Sequence, residues 1–240
     1  MTARAASNPV VPGASSTRGL ILNLALFQLG WWALVLSAAH GYPGLGLAIV
    51  AAILAWHLGF VRPLASEALL IALAALIGLA FDSLLIATGW VSFSPPDPVT
   101  VQAATLAPAP TVELATGLAT PAKAPVVALA ASPELINTSI VTTGTGAALA
   151  AALSPPWMIA LWANFATTLN LSLAGLQSRP GLAALLGLVG GPLAYWGGAG
   201  LGAMTFVAPL PALIALALGW ALLTPLLLAL AATLARRSNP

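Results

Sequence analysis

Apolar residues along this chain come in runs too long for the core of a small soluble domain. A helix rises about 1.5 Å per residue, so a hydrocarbon layer about 30 Å thick takes roughly twenty apolar residues to cross. Runs of that kind, bounded by charge, Pro or Gly, cover residues 19–39, 43–60, 65–90, 156–176, 181–202 and 206–235. They predict an all-α fold, a polytopic transmembrane helix bundle of about six spans, with helices 1–3 in 19–90 and helices 4–6 in 155–235. Short tails at 1–18 and 236–240 flank it. Between the two groups, 91–154 is rich in Ala, Pro and Thr, and prolines at 95, 96, 98, 108, 110, 121 and 125 bar a long helix. That stretch is expected to be a largely disordered external loop, with room for a short interfacial helix over 144–153. Ser37-Ala38-Ala39 resembles a signal-peptide cleavage site, but the apolar stretch before it is long and carries Asn23, Gln28, Trp31 and Trp32, so a span is expected.

Composition supports the same conclusion. Hydrophobic residues make up 60% of the 240 and charged residues 5%, against about 25% charged in soluble domains. Mean hydropathy is +1.02. Such a chain cannot build a water-facing surface, and its expected partner is the lipid bilayer. The absence of cysteine excludes disulfides, thiolate metal sites and cysteine nucleophiles. Basic residues stand singly apart from Arg236-Arg237, so nucleic acid has no footprint here. Six spans put Arg4, Arg18, Arg62, Arg179, Arg236 and Arg237 on one side and Lys123 on the other. Basic residues in short loops stay cytoplasmic, which predicts both termini inside a bacterial inner membrane.

Ionisable groups inside a span are costly and face the protein interior. Asp82, deep in the third span, is the clearest: it needs a partner or a proton. Tyr195, Gln28 and Asn164 fall at comparable depths and complete a candidate intramembrane polar site. Depth also pairs Gln28 with Asn164, and Asn23 with Asn170, as amide contacts between the first and fourth spans. His57, Arg62 and Glu67 form a second candidate cluster at the cytoplasmic face. Two ligand-type side chains are too few for a structural zinc site, so no metal and no cofactor is expected. In the fifth span, Gly187, Gly190, Gly191, Gly198 and Gly202 suit close helix packing. Pro192 admits two outcomes, a packed helix or one broken beside a cavity. Trp90, Trp157 and Trp196 are expected as interfacial anchors. Pro43-Gly44-Leu45 and Pro180-Gly181-Leu182 open the second and fifth spans alike, as two three-helix halves would.

Several of these residues recur in order: Asn23, Gln28 and Trp31-Trp32; His57 and Glu67; Asp82 with Gly89; the run from Trp162 to Ser172; and Gly190-Gly191-Pro192 with Tyr195 and Gly197. In that order they resemble DUF2878, a family of small bacterial inner-membrane proteins without an established activity. The resemblance implies location and topology and transfers no catalytic residue. It also implies that 91–154 is an insertion, since the family joins its third and fourth spans by a shorter link. Three functions follow as expectations. One is a binding or transport-type protein for a small molecule or lipid, with a polar cavity around Asp82. Another is an enzyme or accessory of membrane-lipid metabolism using His57 and Glu67. The last is a structural partner of another membrane protein, or of a second copy, docked through the Gly-rich span.

Overall fold

The computed structural model describes residues 16–61, 63–93 and 153–237. Among them are six α-helices: α1 (Thr17–Ala39), α2 (Pro43–Phe60), α3 (Leu64–Ala87), α4 (Pro156–Leu169), α5 (Pro180–Gly200) and α6 (Pro209–Arg237). Two short strands, β1 (Val91–Ser92) and β2 (Thr205–Phe206), pair antiparallel, and a 3₁₀ turn spans Ala174–Leu176. Local chemistry sets the boundaries. Ser16 caps α1 by accepting from the Gly19 N–H at 3.1 Å. Proline opens α2, α4 and α5, where its missing N–H costs nothing. Gly41 and Gly89, with φ of 79° and 71°, turn the chain after α1 and α3 in a conformation only glycine adopts freely.

Five helices are long and apolar enough to cross a membrane, and their large apolar side chains point outward: Ile21, Leu84, Leu193, Leu218 and Leu222 are all exposed. Lipid is the solvent such a surface requires, so this is a multi-pass membrane protein. The fourth span differs from its prediction. Helix α4 has only 14 residues, about 21 Å of rise, and breaks at Asn170 into turns instead of continuing to 176. Nine of its residues are buried, so protein and not lipid surrounds it. It still runs most of the way across, starting beside Ser83 near the end of α3 and finishing beside Glu67 at the start of α3.

Helix α4 packs among α1, α2 and α3, while α5 and α6 form a hairpin joined to the rest mainly through α3 and α6. By packing, the helices group four and two. Two further boundaries shift. The third span ends at Ala87, leaving Trp90 in the turn, where its carbonyl accepts from Val207 N at 2.9 Å. The sixth begins at Pro209, because Phe206 belongs to β2. Trp157, expected at the interface, is buried with its ring 5.8 Å from Phe93, whereas Trp196 is exposed. The loop proposed over 91–154 and its interfacial helix lie almost wholly outside the described residues, as do Arg62 and the N-terminal tail to residue 15. For orientation, the β1–β2 side is called the strand end, and the side where α1 begins and α6 finishes the terminal end.

Candidate functional site

Near the middle of the bundle, α3 and α4 meet through a glycine. A side chain at Gly78 would fall inside the Trp162 indole, so the bare backbone lets α4 press its largest residue against α3. One turn along α3, Asp82 faces the same indole. Trp162 donates its N–H to Asp82 Oδ2 at 2.9 Å, and the Tyr195 hydroxyl of α5 donates to Oδ1. Asp82 is completely buried. Trp162 stacks on Trp220 of α6, with centroids 4.5 Å apart and planes inclined by 18°. Gly191 of α5 gives Trp220 room, and Gly187 receives its carbonyl and the Thr224 hydroxyl. These glycines are thus occupied by α6 of the same chain. A side chain at Gly190 would meet open space, one at Gly198 would reach ordinary contact with Met204 at 3.9 Å, and one at Gly202, which follows α5 with φ of 86°, would meet nothing within 4 Å. Helix α5 continues unbroken through Pro192, so the broken-helix outcome does not occur.

The other two members of the expected intramembrane set do not join Asp82. Asn164 is buried and donates to the Phe27 carbonyl at 2.9 Å, in a space left by Gly30. Gln28 is exposed on α1 and reaches neither of them. Helices α1 and α4 do exchange amide bonds, but with other partners: Asn23 donates to the Thr167 carbonyl at 3.1 Å and accepts from the Ser172 hydroxyl at 2.7 Å. Asn170 turns away to Glu67. Position along each apolar run was legible in sequence; the rotation of each helix about its axis was not.

At the terminal end, His57 and Glu67 are buried together, Nε2 lying 3.3 Å from Oε2. Asn170 donates to the other carboxylate oxygen at 2.6 Å, and Gln177 donates to Asn170 at 2.9 Å. Sequence reasoning missed Gln177 and the link to α4. The chain of bonds holds the point where α4 breaks against the starts of α3 and α5. Among the described residues, no three His, Cys, Asp or Glu side chains converge as a metal site would require. Glu67→Gln keeps the shape and, with its amide oxygen toward Asn170, the Asn170 bond, but it replaces the acceptor toward His57 by an NH2 group. It is expected to cost about 1 kcal/mol, read as a lowered melting temperature in detergent with the fold retained; an unchanged melting temperature would show that the pair holds nothing.

Between α1 and α5 the helices part, leaving two neighbouring spaces. The larger, about 510 Å³, is lined by Phe27, Gln28, Trp32, Thr168, Gly190 and Leu193 among others. The smaller, about 70 Å³, lies toward the strand end and is walled by Trp31, Trp157, Trp162, Phe165, Tyr195 and Trp220. Phe27, Trp31, Phe165, Ala194 and Trp220 line both. The first is an open apolar groove with a few polar groups, and the second is an aromatic chamber whose wall carries both donors to Asp82.

Fold and site together define a polytopic α-helical membrane protein built around a short, buried, polar central helix. The chain matches the family described as a protein of unknown function, DUF2878, over residues 20–111 and 122–226, and it belongs to that family. The match enters 91–154 from both sides and leaves only 112–121 outside, so the insertion expected over the whole stretch is not what the family match shows. No curated protein and no solved structure matches the chain.

Proposed function

We propose that this protein binds a hydrophobic or amphipathic small molecule, drawn from the lipid phase, in the groove between α1 and α5. The carrying observation is the groove itself. Its volume of about 510 Å³ falls within the range of small-molecule sites, about 300–1,000 Å³, and its lining follows their pattern of apolar walls with few polar groups. A slot between two membrane helices is reached sideways from lipid without passing through water. The buried His57–Glu67 pair favours the groove over chemistry at the terminal end, because both its carboxylate oxygens already have partners inside the protein.

The same proposal places the protein in a bacterial inner membrane with the terminal end cytoplasmic. In support, the arginines among the described residues, Arg18, Arg179, Arg236 and Arg237, all fall at that end. A C-terminal reporter active only in the periplasm would overturn the orientation by giving signal.

Gly190 offers the test of binding, since it lines the groove and a side chain there meets nothing within 4 Å. Gly190→Phe is expected to fill the space without disturbing the fold. Photo-crosslinking of the purified protein with a diazirine-bearing fatty acyl chain should then fall by about tenfold, the equivalent of 1.4 kcal/mol, at an unchanged melting temperature. Equal labelling of the two proteins at peptides of α1 and α5 would remove the proposal.

A further inference from the structure

The aromatic chamber says more about the ligand than the groove does. Asp82 accepts hydrogen bonds at both oxygens, and both donors, Trp162 and Tyr195, are neutral. Among the described residues no basic side chain pairs with it; His57 with Glu67 is the one ion pair there. A carboxylate at this depth ordinarily faces a cation or another polar group that compensates it. It lies about five residues, or roughly 8 Å, below the strand end of α3. Both donors also form the chamber wall, so the carboxylate is separated from the cavity by one layer of side chains. Through a medium of low polarity its field crosses that layer with little screening.

The wall is matched to one kind of cation. A hard metal ion takes six or more oxygens, whereas this chamber presents the rings of Trp31, Trp157, Trp162, Phe165 and Trp220 and the single hydroxyl of Tyr195. Indole faces attract an organic cation that needs no dense set of oxygen ligands. The Tyr195 oxygen donates its proton toward Asp82 and keeps lone pairs, whose negative charge density suits a cationic head with or without an N–H. A volume of about 70 Å³ suits one compact tetrahedral centre and excludes a bulky headgroup. Met204 adds a flexible thioether to the lining.

We propose that the chamber binds an organic ammonium group, with Asp82 as its buried counter-charge and the indoles as its cage. The inference rests on the groove reading, because the groove that adjoins the chamber holds whatever chain the ammonium carries. The charged group then lies toward the strand end and the chain points toward the terminal end, as in an amine-bearing lipid of the leaflet on the strand-end side. A free quaternary amine shares the same head chemistry.

The experiment uses the full chain in an uncharged maltoside detergent and follows quenching of tryptophan fluorescence. Tetradecyltrimethylammonium is compared with its carbon isostere, in which a tert-butyl group replaces the charged head. The cation is expected to bind about tenfold more tightly. Asp82→Asn should reduce that preference to within roughly threefold, while Gly190→Phe weakens both compounds alike. Should Asp82→Asn not fold, Trp157→Leu serves instead, since Trp157 lines the chamber and not the groove and does not bond Asp82; it should weaken the cation and spare the isostere. Tetramethylammonium separates the sources. Binding comparable to that of the long-chain cation indicates a free amine, and much weaker binding indicates an amine lipid; both outcomes require cation preference. Equal binding of cation and isostere to the unaltered protein overturns the ammonium inference and leaves the groove standing if Gly190→Phe still weakens both. Failure of both compounds to bind overturns the two together.

Discussion

Gly78→Val is expected to lose about 3 kcal/mol of stability, toward the upper end of what overpacking costs, while Gly190→Val loses less than about 1 kcal/mol. Both changes put a β-branched side chain into a membrane helix, so intrinsic helix preference nearly cancels between them. The difference lies in what each side chain meets. At Gly78 it enters the volume of the Trp162 ring, which is held by its bond to Asp82 and its stack on Trp220 and can yield only by giving these up. At Gly190 it meets open space. Thermal unfolding of the two variants in one detergent, followed by monodispersity on size exclusion, measures the contrast. Equal losses would show that the α3–α4 contact does not hold the bundle.

Asp82→Ala produces the second large effect by a different route. It leaves the Trp162 N–H and the Tyr195 O–H buried without an acceptor, and each orphaned group costs about 1–3 kcal/mol. A total near 3 kcal/mol is expected. Tyr195→Phe removes one donor and leaves Asp82 with the other, so its cost should stay near 1 kcal/mol. The double variant should then be less destabilised than the sum of the two single changes, by about 1 kcal/mol, as in a cycle between residues in contact. Additive losses would mean that the Tyr195–Asp82 bond carries no stability.

The resemblance to the family and the helical membrane fold are both legible in the sequence. Apolar run length and scarcity of charge suffice for that, because lipid leaves the backbone no alternative to satisfying itself within each helix. The error over α4 came from the same source. Its run of 21 residues is apolar enough to cross, but Asn170 and Ser172 are drawn to Glu67 and Asn23, and the chain leaves the helix to make those bonds. Asp82 stood out because an acid in a span is rare. Gly78 and Trp220 did not stand out, since a glycine or a tryptophan in a membrane helix is common, although Gly78 lies one turn from Asp82 on the same face.

By itself the sequence determined that this chain lives in lipid, that it runs across several times as helices, and where along each apolar run its polar residues fall. Those properties depend only on the order and polarity of residues along a rod of known rise. Tertiary structure alone decided that Asp82 meets Tyr195 and Trp162 and not Gln28, that α4 is the buried centre, and that α1 and α5 part to leave a groove. In helices apolar on nearly every side, no hydrophobic stripe marks the inward face. Their rotation is set instead by which glycine admits which large ring.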